Sequence, residues 1–236
     1  MHESGINIAL FRLINDAHNP WLDAFFGLVS GLGDGLVIAL LCALLMLFRL
    51  RLGLAAMLAF IASGLLAQLL KHLFDLPRPP AVLDNVHILG AAYTSHSFPS
   101  GHATSDGVML LAAFILWRMH DARAWLVAIL FAMAALGRIY GGVHFPLDVT
   151  VGVVLGALCM EAAWRWSVTW PVQRWQASPW SWKVSGMLAI ILAAVLGLGY
   201  QMQPATAQSL AFVLPIATLL IVMRRWKDAM GAEPRG

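Results

Sequence analysis

The chain of 236 residues is 60% hydrophobic and 11% charged, with a mean hydropathy of +0.77. Soluble domains carry about 25% charged residues, so the composition describes an integral membrane protein and excludes a water-soluble one. The formal net charge of +3 does not indicate a nucleic-acid partner, because the basic residues are scattered between apolar segments and form no basic face. Cys42 and Cys159 each sit inside an apolar segment and read as packing residues, which excludes a disulfide framework or a thiolate metal site.

The first apolar patch, Ile6 to Ile14, is interrupted by Arg12. It has neither basic residues ahead of it nor a small-residue cleavage site after it, so it reads as an interfacial helix and not a secretory signal. From Trp21 to Phe48 a longer segment is broken by Gly31-Leu32-Gly33-Asp34-Gly35, marking the membrane surface or a kink. Further segments near spanning length follow at Leu54–Phe74, His102–Trp117, Ala124–Tyr140, Pro146–Trp164, Val184–Tyr200 and Ala207–Met223. The expected fold is therefore all-α, a polytopic bundle of seven transmembrane helices with six as the rival count. Gly152 and Gly156, four apart, suit close helix approach. With no internal repeat and no low-complexity linker, residues 1–236 read as a single domain ending in a helical hairpin over 184–223.

Orientation follows from the connections. Alternate loops carry Arg49 and Arg51, then Arg118 and Arg123, then Arg165, Arg174 and Lys183, and finally Arg224, Arg225, Lys227 and Arg235, which are eleven of the 15 basic residues. Such loops face the cytoplasm. The tryptophans at 164, 166, 170, 175, 180 and 182 read as an interfacial aromatic belt on the same side.

The four exceptions, Arg12, Lys71, Arg78 and Arg138, face the exterior, and three of them gather at one place. Ser97-Phe98-Pro99-Ser100-Gly101-His102 is a polar loop turning into an apolar helix. A helix start presents unpaired N–H groups and the positive end of the dipole, which suit an anion. Lys71 lies near the end of one span, followed after six residues by Arg78-Pro79, and Arg138 ends another, with His144 and Asp148 beyond it. His144 and Asp148 are four apart, so the carboxylate can orient the imidazole and raise its basicity. Three cations, two histidines and a carboxylate thus meet at the mouth of an apolar bundle.

Lys71-x6-Arg78-Pro79, Pro99-Ser100-Gly101-His102 and Arg138-x5-His144-x3-Asp148 together resemble the three-part signature of the type-2 phosphatidic acid phosphatase superfamily, whose site is shared with soluble bacterial acid phosphatases and vanadium haloperoxidases. The resemblance covers residues 71–148. One position departs from it: Gly137 stands where the family usually has serine, which removes a hydroxyl contact to phosphate.

The resemblance implies a membrane lipid phosphatase with its site at the periplasmic or exterior face of a bacterial inner membrane. Lys71, Arg78 and Arg138 would clamp the phosphoryl oxygens, with the Ser100 hydroxyl and the Gly101 and His102 amides completing the cradle. His144, oriented by Asp148, would attack phosphorus and carry a phosphohistidine; His102 would protonate the leaving oxygen and then activate water. Asp106, one turn beyond His102, would orient that imidazole or line the pocket, or else be a solvated interfacial acid. Three cations would repel a divalent ion, so no metal and no cofactor is expected. The expected substrate is a lipid phosphate or diphosphate with its tail in the bilayer, undecaprenyl diphosphate first, then phosphatidic acid or phosphatidylglycerol phosphate, then lipid A. A phosphotransferase using the same site and a non-enzymatic channel or carrier are the alternatives. His87 and His96 read as solvated loop histidines; Asp75, Tyr140 and Asp34 could touch substrate, although loop acids and belt tyrosines need no such role; Glu161 is expected to pair with Arg165. No sequence feature specifies an oligomeric state.

Overall fold

The computed structural model describes residues 4–231; Arg235, counted above among the cytoplasmic cations, lies outside them. Eleven α-helices run through the described residues, and no strand is among them. Helix α1 (Gly5–Asn15) precedes α2 (Pro20–Ser30), which continues through a short 3-10 turn into α3 (Gly35–Phe48). Then come α4 (Leu50–Phe74), the single-turn α5 (Pro79–Val82), α6 (Gly101–Trp117), α7 (Ala122–Tyr140) and α8 (Pro146–Trp166). The short α9 (Val172–Ala177) leads to α10 (Pro179–Gly197) and α11 (Leu210–Gly231).

Five helices are long and apolar enough to cross a membrane, and the bent α2–α3 pair makes a sixth. The expected seventh span, His102–Trp117, is α6. With 17 residues it is the short helix of the set, and it packs against α4, α7 and α8 in the middle of the bundle. Bundle sides away from these contacts are apolar and open: Leu65, Leu69, Leu73, Leu126, Leu158 and Leu220 are all more than 60% exposed. Such a surface is suited to lipid and not to water.

The break in the second segment is a kink of 58°. Asp34 ends it by accepting the Leu36 N–H at 2.9 Å, capping α3. Gly33 is required here, because a Cβ would sit 2.7 Å from a carboxylate oxygen of Asp106 on α6. Gly152 and Gly156 do what their spacing predicted. A Cβ on Gly152 would lie 2.7 Å from the Ser100 carbonyl, and one on Gly156 would collide with the Thr104 carbonyl, so α6 and α8 touch backbone to backbone.

Helix α1 is more than an interfacial helix. Phe11 is fully buried against Phe145, their rings 5.5 Å apart, and Asn7 accepts the Leu147 N–H at the start of α8. Arg12 donates to the Asp84 and Asn85 carbonyls, which accounts for the one exterior cation outside the cluster. At the other end of the bundle Arg51 donates to Ser167 at 2.9 Å and lies over Trp164, joining the start of α4 to the end of α8. Glu161 and Arg165 pair there at 2.6 Å. The hairpin α10–α11 packs on α3 around Val37, Leu40, Ala193 and Leu196.

Candidate active site

The site forms where α4 and α7 end and α6 and α8 begin. Ser97 sets its floor: its hydroxyl donates to Asp148 Oδ2 at 2.6 Å, and the Ser100 N–H donates to the Asp148 carbonyl at 3.0 Å. Two strands of chain that are far apart in sequence are thereby fixed to one residue. Asp148 also accepts the Phe145 N–H at 2.9 Å, capping α8.

One cavity of about 340 Å³ is lined by Lys71, Arg78, Arg138, His102 and His144, with Gly101 open beside them. A Cβ on Gly101 would meet nothing within 4 Å, so a ligand can approach the backbone at the first turn of α6. Ser100 is placed differently from expectation. It is fully buried as the N-cap of α6, its hydroxyl oxygen accepting the Ala103 N–H at 3.4 Å, and it does not line the cavity. Position 137 faces α2, where a Cβ would lie 3.0 Å from Ser30 Cβ, so glycine there serves packing of α7 on α2.

Two of the three cations are held in place by carbonyls. Lys71 Nζ donates to His96 O at 2.7 Å; Arg78 donates to Ser95 O at 2.9 Å and to Val143 O at 3.2 Å, and its guanidinium stacks over Tyr93. Arg138 is 8% exposed, and its Nε has no hydrogen-bond partner among the described residues. A buried guanidinium N–H without an acceptor is costly to desolvate. Its natural complement is an oxyanion.

The tautomer of His144 follows from its neighbours. Its Nε2 lies 3.3 Å from Arg78 Nη1, which can only donate, so Nε2 carries the lone pair and Nδ1 the proton. Nδ1 in turn faces Asp148 Oδ2 at 3.5 Å. Burial, with Arg78, Arg138 and Lys71 adding to it, holds this imidazole well below its ordinary pKa. The ring is therefore neutral, with its Nε2 electron pair beside Arg78 at the cavity wall, a nucleophile's state once the guanidinium turns to an incoming phosphate.

Asp106 is 1% exposed on α6, and neither carboxylate oxygen has a hydrogen-bond partner among the described residues. It is a buried acid behind the site, not a solvated one, and it bonds neither histidine. His87 is also not a free solvated ring: it bonds Asp23 at 2.9 Å and stacks on His18. The Tyr140 hydroxyl donates to the same Asp23, away from the cavity, and Asp75 pairs with His96 at 2.5 Å.

Asp34, named from the sequence, lines the same cavity, but sequence reasoning missed the rest of the outer wall: Gln68, Tyr93, Tyr200, Gln201 and Gln203, of which the last three belong to the loop between α10 and α11. No motif marks them. Tyr200 donates to Asp34 Oδ2 at 2.9 Å, and burial together with that bond pushes its phenol up to about 12, so it remains a donor.

The crystal structure of Aquifex aeolicus LpxE superposes with a TM-score of 0.64 at 33% identity, covering 70% of this chain and 98% of that one. A transmembrane PAP2-type phosphatidylglycerolphosphate phosphatase from Bacillus subtilis gives 0.54 at 26% identity, covering 67% and 82%. An undecaprenyl-diphosphatase of Sulfolobus acidocaldarius is 28% identical over 72% of this chain and 82% of its own length. The family model described as the PAP2 superfamily matches residues 52–172, a range that takes in all three motifs and the three cations of the cavity, and the chain belongs to that superfamily.

Proposed function

We propose that this membrane protein hydrolyses the terminal phosphate of a lipid phosphate or diphosphate through a phosphohistidine on His144. Membership of the PAP2 superfamily and the character of its relatives support a membrane lipid phosphatase. The observation that carries the mechanism is that Lys71, Arg78, Arg138, His102 and His144 line one cavity.

In the first step His144 Nε2 attacks phosphorus while the three cations neutralise charge on the equatorial oxygens. The incoming anion favours a protonated His102, which gives its proton to the departing lipid oxygen. As the N–P bond forms, the ring becomes cationic, and Asp148 offsets that charge through Nδ1–H. Water, deprotonated by His102, then attacks phosphorus from the vacated side, releasing phosphate and restoring the neutral ring. Covalent capture divides one difficult displacement into two easier ones.

The cavity opens at the bundle end opposite the arginine-rich connections, which supports a site on the periplasmic side of a bacterial-type inner membrane. Relatives that are undecaprenyl-diphosphatases make undecaprenyl diphosphate the first candidate, ahead of phosphatidic acid, phosphatidylglycerol phosphate and lipid A. The three cations disfavour a divalent ion, so excess chelator is expected to leave turnover intact. Phosphate release by purified protein across these lipids, with His144→Ala as control, tests the proposal. Release by the His144→Ala protein at the wild-type rate would end it.

A further inference from the structure

The family match ends at residue 172, yet the cavity does not. Its outer wall is the loop between α10 and α11, which lies beyond the three motifs. That loop is built to hold a shape. Tyr200 is tied to the α2–α3 kink through Asp34, and the Gln208 side chain bridges it by donating to the Tyr200 carbonyl at 3.0 Å and accepting the Met202 N–H at 2.9 Å. Met202 is buried beneath it. Gln201 and Gln203, either side of Met202, line the cavity, and Gln68 of α4 lines it too. In contrast to the half-buried Gln208, these three amides are exposed at the cavity and make no hydrogen bond among the described residues, which leaves them free to meet a ligand there.

The chemistry divides accordingly. All three cations of the cavity are in the motifs, where a phosphoryl group would be held, while the loop adds neutral groups that both donate and accept. Neutral amides recognise oxygen atoms without demanding charge. We infer that Gln201 and Gln203 are specificity-determining residues that hydrogen-bond an oxygen-rich group attached directly to the scissile phosphate. This rests on the lipid phosphatase reading above. The second phosphate of a prenyl diphosphate and the hydroxyls of a glycerol or sugar headgroup share that chemistry; a plain prenyl monophosphate lacks it.

The test compares wild-type protein with the double variant Gln201→Ala/Gln203→Ala in detergent, on a prenyl diphosphate, phosphatidylglycerol phosphate and a prenyl monophosphate. The expected result is a fall in kcat/KM of about tenfold or more on one or both oxygen-rich lipids, against about twofold or less on the monophosphate. Loss on the diphosphate alone identifies the second phosphate as the held group, and loss on the glycerol lipid alone identifies the hydroxyls. An equal loss on all three lipids, or no loss on any, overturns the inference while leaving the phosphatase reading standing. A wild-type protein that releases phosphate from none of them, nor from phosphatidic acid or lipid A, overturns that reading, and the inference with it.

Discussion

Replacing Asp148 by asparagine isolates the part played by its charge. The substitution preserves shape, and the asparagine carbonyl oxygen can still accept from Ser97 Oγ and the Phe145 N–H, which now approach Oδ2 at 2.6 and 2.9 Å. What disappears is a full negative charge 3.5 Å from His144 Nδ1. At an effective dielectric constant of about 20 that attraction is worth roughly 4 to 5 kcal/mol once the ring is cationic. The ring is neutral before attack and cationic after it, so nearly all of this energy belongs to the transition state and the phosphoenzyme. The expectation is a fall in kcat of about 10³-fold with KM within about threefold, since each 1.36 kcal/mol is a factor of ten. Steady-state phosphate release and single-turnover formation of labelled phosphoenzyme read both quantities, and a melting curve in detergent reads the fold. A loss below about tenfold in a protein that melts normally would refute the role given to this carboxylate.

The pH dependence has a definite sign. His144 must be neutral to attack, and its pKa lies well below 6.5, so the acidic limb of kcat/KM is expected below pH 6.5, moving upward in Lys71→Met as one repelling cation is removed. Stability follows in the same direction: His144 contributes fully above pH 6.5 and its contribution is lost as pH falls through the lowered folded value, because the unfolded chain binds the proton first. With an aryl phosphate, whose leaving group needs no acid, His102→Ala is expected to form phosphoenzyme normally and then accumulate it; rapid turnover would remove His102 from the second step. Gly156→Val drives a side chain into the Thr104 carbonyl and should destabilise by about 1–3 kcal/mol, seen as a lower melting temperature. Gly64→Ala is the control, since nothing lies within 4 Å of its added Cβ and alanine favours the helix by up to about 1 kcal/mol.

The gathering of the three cations at one cavity was legible because their chemistry contradicts their surroundings. Lys71, Arg78 and Arg138 stand out in apolar sequence, and their spacing to His102, His144 and Asp148 carries information that packing alone would not require. The α6–α8 contact was legible for a related reason: Gly152 and Gly156 four apart leave room that only a neighbouring backbone fills. Ser97 was not, because a serine that donates to a carboxylate 51 residues away looks like any other loop serine. Gln201 and Gln203 were hidden in the same way, being unremarkable polar residues whose importance comes from how α10 and α11 return the chain to α3. At α6 apolar composition is ambiguous between lipid and protein as the surroundings of a helix, and the structure places this 17-residue helix among α4, α7 and α8.

The position of α6 explains why the reactive groups can be buried at all. Its N-terminus must lie against Asp148 for Ser100 and Ser97 to bond there, and that is possible only because Gly152 and Gly156 let α8 approach within backbone contact. The same approach sets Gly101 and His102 opposite Arg138 and His144. A longer α6 would carry this cluster past the ends of α4 and α7, and the cations would be solvated individually. A shorter one would draw them into hydrocarbon, where an isolated charge is expensive. Helix length and glycine spacing therefore put a set of charges at the one depth where a lipid headgroup can reach them while its tail remains among the exposed leucines of the bundle.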